Sequence, residues 1–145
     1  MTTPDTRALL EQLGHLLRQL TRRAGGADDD GPSMSASQRI ALVELGAAGP
    51  LRLQELARRM GTSTPTASRA VDLLESLGLA TRAPEHGDRR ALSIEVTPTG
   101  RALLDERLER AAVAFAPAVA LLSAEDRRTL LALLERMTSA LRHDG

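Results

Sequence analysis

The stretch Ser63-Thr64-Pro65-Thr66-Ala67-Ser68-Arg69-Ala70-Val71-Asp72-Leu73-Leu74-Glu75-Ser76-Leu77 decides the fold. Ser63 offers an N-cap oxygen, and Pro65 sits in the first turn, where its missing N–H costs nothing. At 100° per residue, Ala67, Ala70, Val71, Leu74 and Leu77 fall within about a third of the helical wheel. Pro65, Ser68, Arg69, Asp72 and Ser76 point the other way, with Thr66 on the flank. The spacing predicts a helix to Leu77, ended by Gly78, with an apolar inner face. Its outer face is short hydroxyls plus one guanidinium.

Upstream, Leu53 to Met60 reads as a short helix that Gly61 stops. Before it, Ser35 or Ser37 caps a helix carrying Ile40, Val43 and Leu45, ended by Gly46 to Pro50. Residues 6–23 form the first helix, with Leu9, Leu13, Leu16 and Leu20 at helical spacing and Leu10 and Leu17 beside them. The run from Gly25 through Asp28, Asp29 and Asp30 to Pro32 is a loop.

Downstream the period changes. Leu92, Ile94 and Val96 alternate with Ser93 and Glu95, the pattern of a half-buried strand. Leu79 to Arg82 is its partner, and Pro84, Glu85, His86, Gly87 and Asp88 form the hairpin loop. Thr97 and Pro98 open a long helix that Pro117 bends or ends. Ser123 with Asp126 starts the last helix, whose Leu130, Leu133, Leu134, Met137 and Leu141 make one stripe. The order is four helices, a β-hairpin and two helices. The fold class is mainly α, a winged helix-turn-helix in a single domain over 1–145.

Composition narrows the function. The 145 residues hold 19 basic and 19 acidic side chains, net charge zero, and every basic residue is Arg. Phe115 is the single aromatic, so Leu, Ala and Val must pack the core. The absence of Cys excludes disulfides, thiol catalysis and Cys-ligated zinc. His15, His86 and His143 lack metal-ligand spacing, so neither metal nor cofactor is expected. No apolar run reaches the ~20 residues of a bilayer span, and Met1 to Asp5 lacks a signal-peptide plan, so a cytoplasmic protein is expected. Neither Gly-x-Ser-x-Gly nor Gly-x-x-x-x-Gly-Lys occurs, and the chain reads as no enzyme.

Zero net charge puts the weight on where charge sits. Arg52, Arg58, Arg59 and Arg69 face one acid, Glu55, a local excess of three between residues 52 and 69. Phosphate neutralisation needs such clustering. Arg pairs with guanine O6 and N7, Ser and Thr reach bases or phosphates, and Pro and the Thr methyl touch thymine methyl. The hairpin ends in Gly87-Asp88-Arg89-Arg90, and a narrow minor groove attracts inserted Arg. A solvated structural helix and a merely soluble hairpin edge are the bland alternatives. Helix, wing and spacing together outweigh them.

The sequence resembles MarR-type transcriptional regulators. The resemblance rests on Gly49-Pro50-Leu51-Arg52-Leu53-Gln54-Glu55-Leu56-Ala57, Thr64 to Glu75, Gly78-Leu79, Gly87-Asp88-Arg89-Arg90 and Val96-Thr97-Pro98-Thr99-Gly100. It implies a homodimer on double-stranded DNA at a pseudo-palindromic operator, acting as a repressor relieved by a small-molecule effector. It implies that Thr64, Pro65, Thr66, Ser68 and Arg69 face the major groove. Arg90 would enter the minor groove, braced by Asp88, with Arg89 near phosphate. Two departures stand out: Leu73 replaces a common basic residue, and Arg52 or Leu53 stands where a Ser or Thr cap is usual. The resemblance also assigns approximate roles, with a DNA-binding lobe over 35–98 and dimerisation helices over 1–24 and 99–145. Two recognition helices about 34 Å apart need two chains, and the terminal stripes offer an apolar interface between them. Ala111, Ala112, Ala114 and Ala116 permit close helix approach. The lack of Trp and Tyr argues against a stacking cage for aromatic compounds. The rival reading is a winged-helix protein-interaction module without DNA binding, favoured by net neutrality and Leu73 and opposed by Arg69, Arg89 and Arg90.

Overall fold

Eight elements follow in the expected order: α1 (Pro4–Arg23), α2 (Ala36–Ala48), α3 (Leu53–Arg59), α4 (Thr64–Ser76), β1 (Ala80–Glu85), β2 (Asp88–Val96), α5 (Pro98–Val119) and α6 (Ala124–His143). The computed structural model describes residues 4–23, 31–85 and 88–143. The loop expected from Gly25 to Asp30 and the residues His86 and Gly87 lie outside them. Contacts gather into two units, Gly25–Glu109 and Met1–Ala24 with Arg110–Gly145.

In the unit Gly25–Glu109, the helix starts follow their caps. Ser35 caps α2 in a reciprocal capping box with Gln38. Ser63 caps α4 through Thr66 N–H, with Pro65 in the first turn. Arg52 makes no side-chain cap, and α3 spans only seven residues. Leu42, Leu45, Leu56, Val71, Leu74 and Ile94 are fully buried and carry the core. Each such side chain contributes about 1.5–3 kcal/mol relative to exposure.

β1 and β2 pair antiparallel, Ala80 opposite Val96 and Arg82 opposite Ile94. Leu51 and Ile94 exchange backbone hydrogen bonds of 3.0 and 2.8 Å, which ties the chain before α3 to the hairpin. Gly78 has φ of 69°, so the α4–β1 turn needs a residue without a Cβ penalty. Thr97 caps α5 by accepting from Gly100 N–H at 3.1 Å and donates to the Gly78 carbonyl at 2.5 Å. A Cβ on Gly100 would collide with the Leu79 carbonyl, so only glycine lets α5 start against this turn.

Several expectations fail in detail. On α2 the buried residues are Ala41, Leu42 and Leu45, while Ile40 and Val43 are exposed. α2 packs on α4, with Leu42 and Leu45 in the shared core. The end of α2 does fall inside the expected Gly46 to Pro50 stretch, at Ala48 with Gly49 as its cap. Leu77 is exposed at the α4 C-cap, past the end of the core. β1 extends to Glu85 and β2 begins at Asp88, so Pro84, Glu85 and Asp88 are strand residues rather than loop. Leu92 is 53% exposed and Ser93 only 6%, the reverse of the expected alternation. The hairpin outruns the core at Leu92, and the Ser93 hydroxyl donates to the Ala83 carbonyl. α5 continues through Pro117 to Val119. Of the two outcomes expected at Pro117, a bend or an end, the end does not occur there; Pro117 removes one helix donor inside α5.

In the other unit, α6 starts as expected. Ser123 N–H and Oγ–H donate to Asp126 Oδ2 at 3.2 and 2.6 Å, and Asp126 N–H returns to Ser123 Oγ at 3.0 Å. These Ser123 hydrogen bonds hold the Asp126 carboxyl below its ordinary value. The apolar stripes of α1 and α6 are uncovered, from Leu9 and Leu13 to Leu133 and Met137. Phe115 lines a cleft of about 350 Å³ with Leu16, Leu20 and Leu121. Among the described residues no helix is long and apolar enough to cross a membrane.

Candidate nucleic-acid interface

Two helices and a tight turn present α4. After α3, Thr62 N–H reaches back to the Ala57 carbonyl at 3.0 Å, and Gly61 takes φ of 63°. Ser63 then opens α4. Ala67, Ala70, Val71 and Leu74 lock its inner face into the core. Thr64, Pro65 and Arg69 are left exposed, and Ser68 is half-buried. The structure therefore brings these four predicted residues to one face of the α4 N-terminal half. Thr66 differs: it is half-buried, and its hydroxyl lies 2.9 Å from Ser63 Oγ, within the cap.

The arginine cluster is more neutral than its count suggests. Arg58 donates to both oxygens of Glu55 at 3.0 and 2.8 Å, and Arg59 donates to Glu55 at 3.0 Å with Glu44 at 3.8 Å. Arg52 holds Glu85 with two bonds, 2.8 and 2.5 Å. Hydrogen bonds from Arg58, then charge and Arg59, depress the Glu55 carboxyl, and the Arg52 hydrogen bond depresses that of Glu85. The excess of three counted along residues 52–69 overlooks Glu44 and Glu85, which folding brings to the same arginines. Of the four, Arg69 alone shows no acid partner among the described residues.

The wing is offset as well as paired. Glu85 stands opposite Asp88 while Pro84 stands opposite Leu92, so β2 carries Arg89, Arg90 and Ala91 as extra residues at a register shift. Bulges of this kind re-aim a strand. Asp88, Arg89 and Arg90 lie at the start of β2, and their side chains lie outside the described residues.

Sequence reasoning missed Arg82. It lies on β1 and donates from its side chain to Asp72 at 2.9 Å and to Glu75, while its backbone N–H donates to Glu75 at 3.1 Å. It joins the hairpin directly to the recognition helix. No local pattern marks it: the helical wheel places Asp72 on the outer polar face of α4, and Glu75, three residues on, on neither face.

The comparisons agree with this geometry. The profile of the MarR family matches residues 33–91, which run from the α2 cap into the wing. A crystal structure described as a probable transcriptional regulator from Pseudomonas aeruginosa is 34% identical, covers 89% of this chain and 98% of its own, and superposes with a TM-score of 0.53. The HTH-type transcriptional repressor NicR of Pseudomonas putida is 29% identical over 99% of this chain and 98% of its own. A MarR family protein from Bacillus stearothermophilus, 23% identical, covers 98% of this chain and 99% of its own, and shares the fold with a TM-score of 0.77. With helix, turn, helix and wing in place and relatives matching it nearly end to end, the chain belongs to the MarR family of winged-helix transcriptional regulators.

Proposed function

We propose that the protein is a cytoplasmic repressor that binds a pseudo-palindromic operator as a homodimer and leaves it when a small-molecule effector binds. One observation carries the reading. The N-terminal half of α4 exposes Thr64, Pro65 and Arg69 and half-exposes Ser68, while its other face is buried. Short hydroxyls and a guanidinium with no acid partner among the described residues suit a major groove, where Arg takes guanine O6 and N7. Arg90 enters the flanking minor groove braced by Asp88, and Arg89 lies against phosphate. Thr66 contributes through the cap and its methyl rather than through a free hydroxyl.

Dimerisation is supported by the uncovered stripes of α1 and α6, which are more continuous apolar surface than single scattered leucines. Two chains joined there supply the second recognition helix that a duplex turn requires. Repression is the reading suggested by the similarity to NicR. An effector acts only as far as it binds one half-site spacing better than another.

Selection of bound duplexes from a random pool, run beside sedimentation of the same protein, tests all of this. The expected result is an inverted repeat with half-sites about 10 bp apart, bound by a two-chain species. Sedimentation as one chain, or a pool that enriches nothing at low salt, overturns the reading.

A further inference from the structure

We propose that Arg82 is a positioning residue for DNA recognition: it touches no DNA and sets the wing against the recognition helix by clamping β1 to Asp72 and Glu75 of α4. The inference rests on the DNA-binding reading above and adds a residue that reading does not use.

The clamp has three arms. The guanidinium holds Asp72 Oδ1 at 2.9 Å and Glu75 Oε2, and the Arg82 amide holds Glu75 Oε1 at 3.1 Å. The Arg82 side chain is 25% exposed, less than that of any other arginine in these ion pairs. A two-stranded ribbon has little stability of its own and twists readily. Arg82 pairs with Ile94 at the point where the hairpin leaves the core, and β1 continues three residues further to Glu85. At about 3.3 Å per residue the ribbon projects ~10 Å beyond the clamp. A small rotation at Arg82 is thus enlarged at Arg89 and Arg90. Arg52 holds Glu85 from the α3 side, so the ribbon is tied to both helices of the helix-turn-helix.

Charge makes the idea testable. Asp72 and Glu75 are acids on the helix that faces phosphate, and simple electrostatics says that removing one tightens DNA binding. If Glu75 serves the clamp, removing it loosens operator binding instead.

The test uses the full-length protein, the best duplex selected from a random pool, and a scrambled duplex of the same composition. Arg82→Met and Glu75→Met are each expected to lose about tenfold on the selected duplex, in the range seen for coupling residues. Affinity for the scrambled duplex stays within about twofold for Arg82→Met, and its salt slope is unchanged because no phosphate contact is lost. Arg82→Lys recovers part of the loss. Hydrogen exchange of the hairpin amides beyond Arg82 quickens about tenfold in Arg82→Met, while α2 and α4 keep their protection.

Unchanged hairpin exchange overturns the clamp, whatever the DNA result. Tighter operator binding by Glu75→Met, or a salt slope lowered by about one per subunit in Arg82→Met, overturns it in favour of a plain electrostatic role. Equal losses on both duplexes with loss of α4 protection reassign Arg82 to the fold alone. Failure of the wild type to bind either duplex removes the DNA reading and the recognition role together, and hairpin exchange still reports whether the clamp exists.

Discussion

Arg69→Ala separates base reading from charge. Arg69 is exposed on α4 and has no acid partner among the described residues, so its removal strands no buried group. Fold stability should move by no more than about 0.5 kcal/mol, the usual range for such surface changes. Any larger effect on binding therefore belongs to the DNA contact. A bidentate Arg–guanine pair is worth about 1–3 kcal/mol of discrimination at one position. The proposed homodimer carries the residue twice, so a full operator loses about 2–6 kcal/mol, or roughly 30-fold to more than ten thousandfold. The assay is fluorescence anisotropy on the selected operator and on variants changed at each half-site position. In the mutant, one position per half-site should become indifferent to its base. Equal loss on every sequence, with the salt slope lowered by about two for the dimer, would falsify base reading and make Arg69 a phosphate contact.

Arg90→Ala should weaken binding to all duplexes and flatten the salt dependence, and an unchanged slope would remove the wing from the interface. Gly100→Ala should cost about 1–3 kcal/mol in urea unfolding, because a Cβ there meets the Leu79 carbonyl backbone, which cannot swing aside. An unaffected midpoint would show that the α5 start moves freely from β1. Asp126 has a folded-state pKa below its unfolded value, so its contribution is full above the unfolded pKa, near 4, and is lost as pH falls through the lower folded value. Ser123→Ala removes the main hydrogen-bond cause. Thermal scans should find it destabilised at neutral pH, with the gap to wild type narrowing in acid; a gap that widens in acid would contradict the assignment.

Local chemistry was legible and long-range pairing was not. Ser35, Ser63, Thr97 and Ser123 each announced a helix start that the structure keeps, because a cap is decided within three residues. The α4 wheel was right about Ala67, Ala70, Val71 and Leu74, since one helix face meets one core. Leu92 was misread because alternation says which side a residue takes, not where the core stops beneath the strand. Which of Ile40, Val43 and Leu45 is buried on α2 was not legible, because a helix rich in apolar residues leaves the choice of face to its partner. The site suffered from the same limit. Arg69 could be picked from spacing. Glu85 under Arg52 and Arg82 against Asp72 and Glu75 arise between residues 33, 10 and 7 positions apart, and no local pattern marks them.

Those ion pairs decide how a protein of zero net charge can still bind a polyanion. Counting every arginine near the proposed interface (Arg52, Arg58, Arg59, Arg69, Arg89 and Arg90) gives six per subunit and twelve per proposed dimer. At about 0.9 per phosphate neutralised, the slope of log affinity against log salt would be near −11. Arg52, Arg58 and Arg59 each already hold a carboxylate, and Glu55 serves two of them. To meet phosphate they must give up a partner, so they release few counterions. Arg69 is assigned to guanine and adds no phosphate contact, which leaves Arg89 and Arg90 as the proposed contributors, four per dimer, and a slope of about −4. A titration of the selected operator between 50 and 200 mM salt distinguishes the two, since they differ by roughly seven units of slope. A measured value near −11 would mean that DNA strips the arginines from Glu55 and Glu85. Arg58→Ala, nearly silent on the paired view, would then weaken every duplex as strongly as Arg90→Ala.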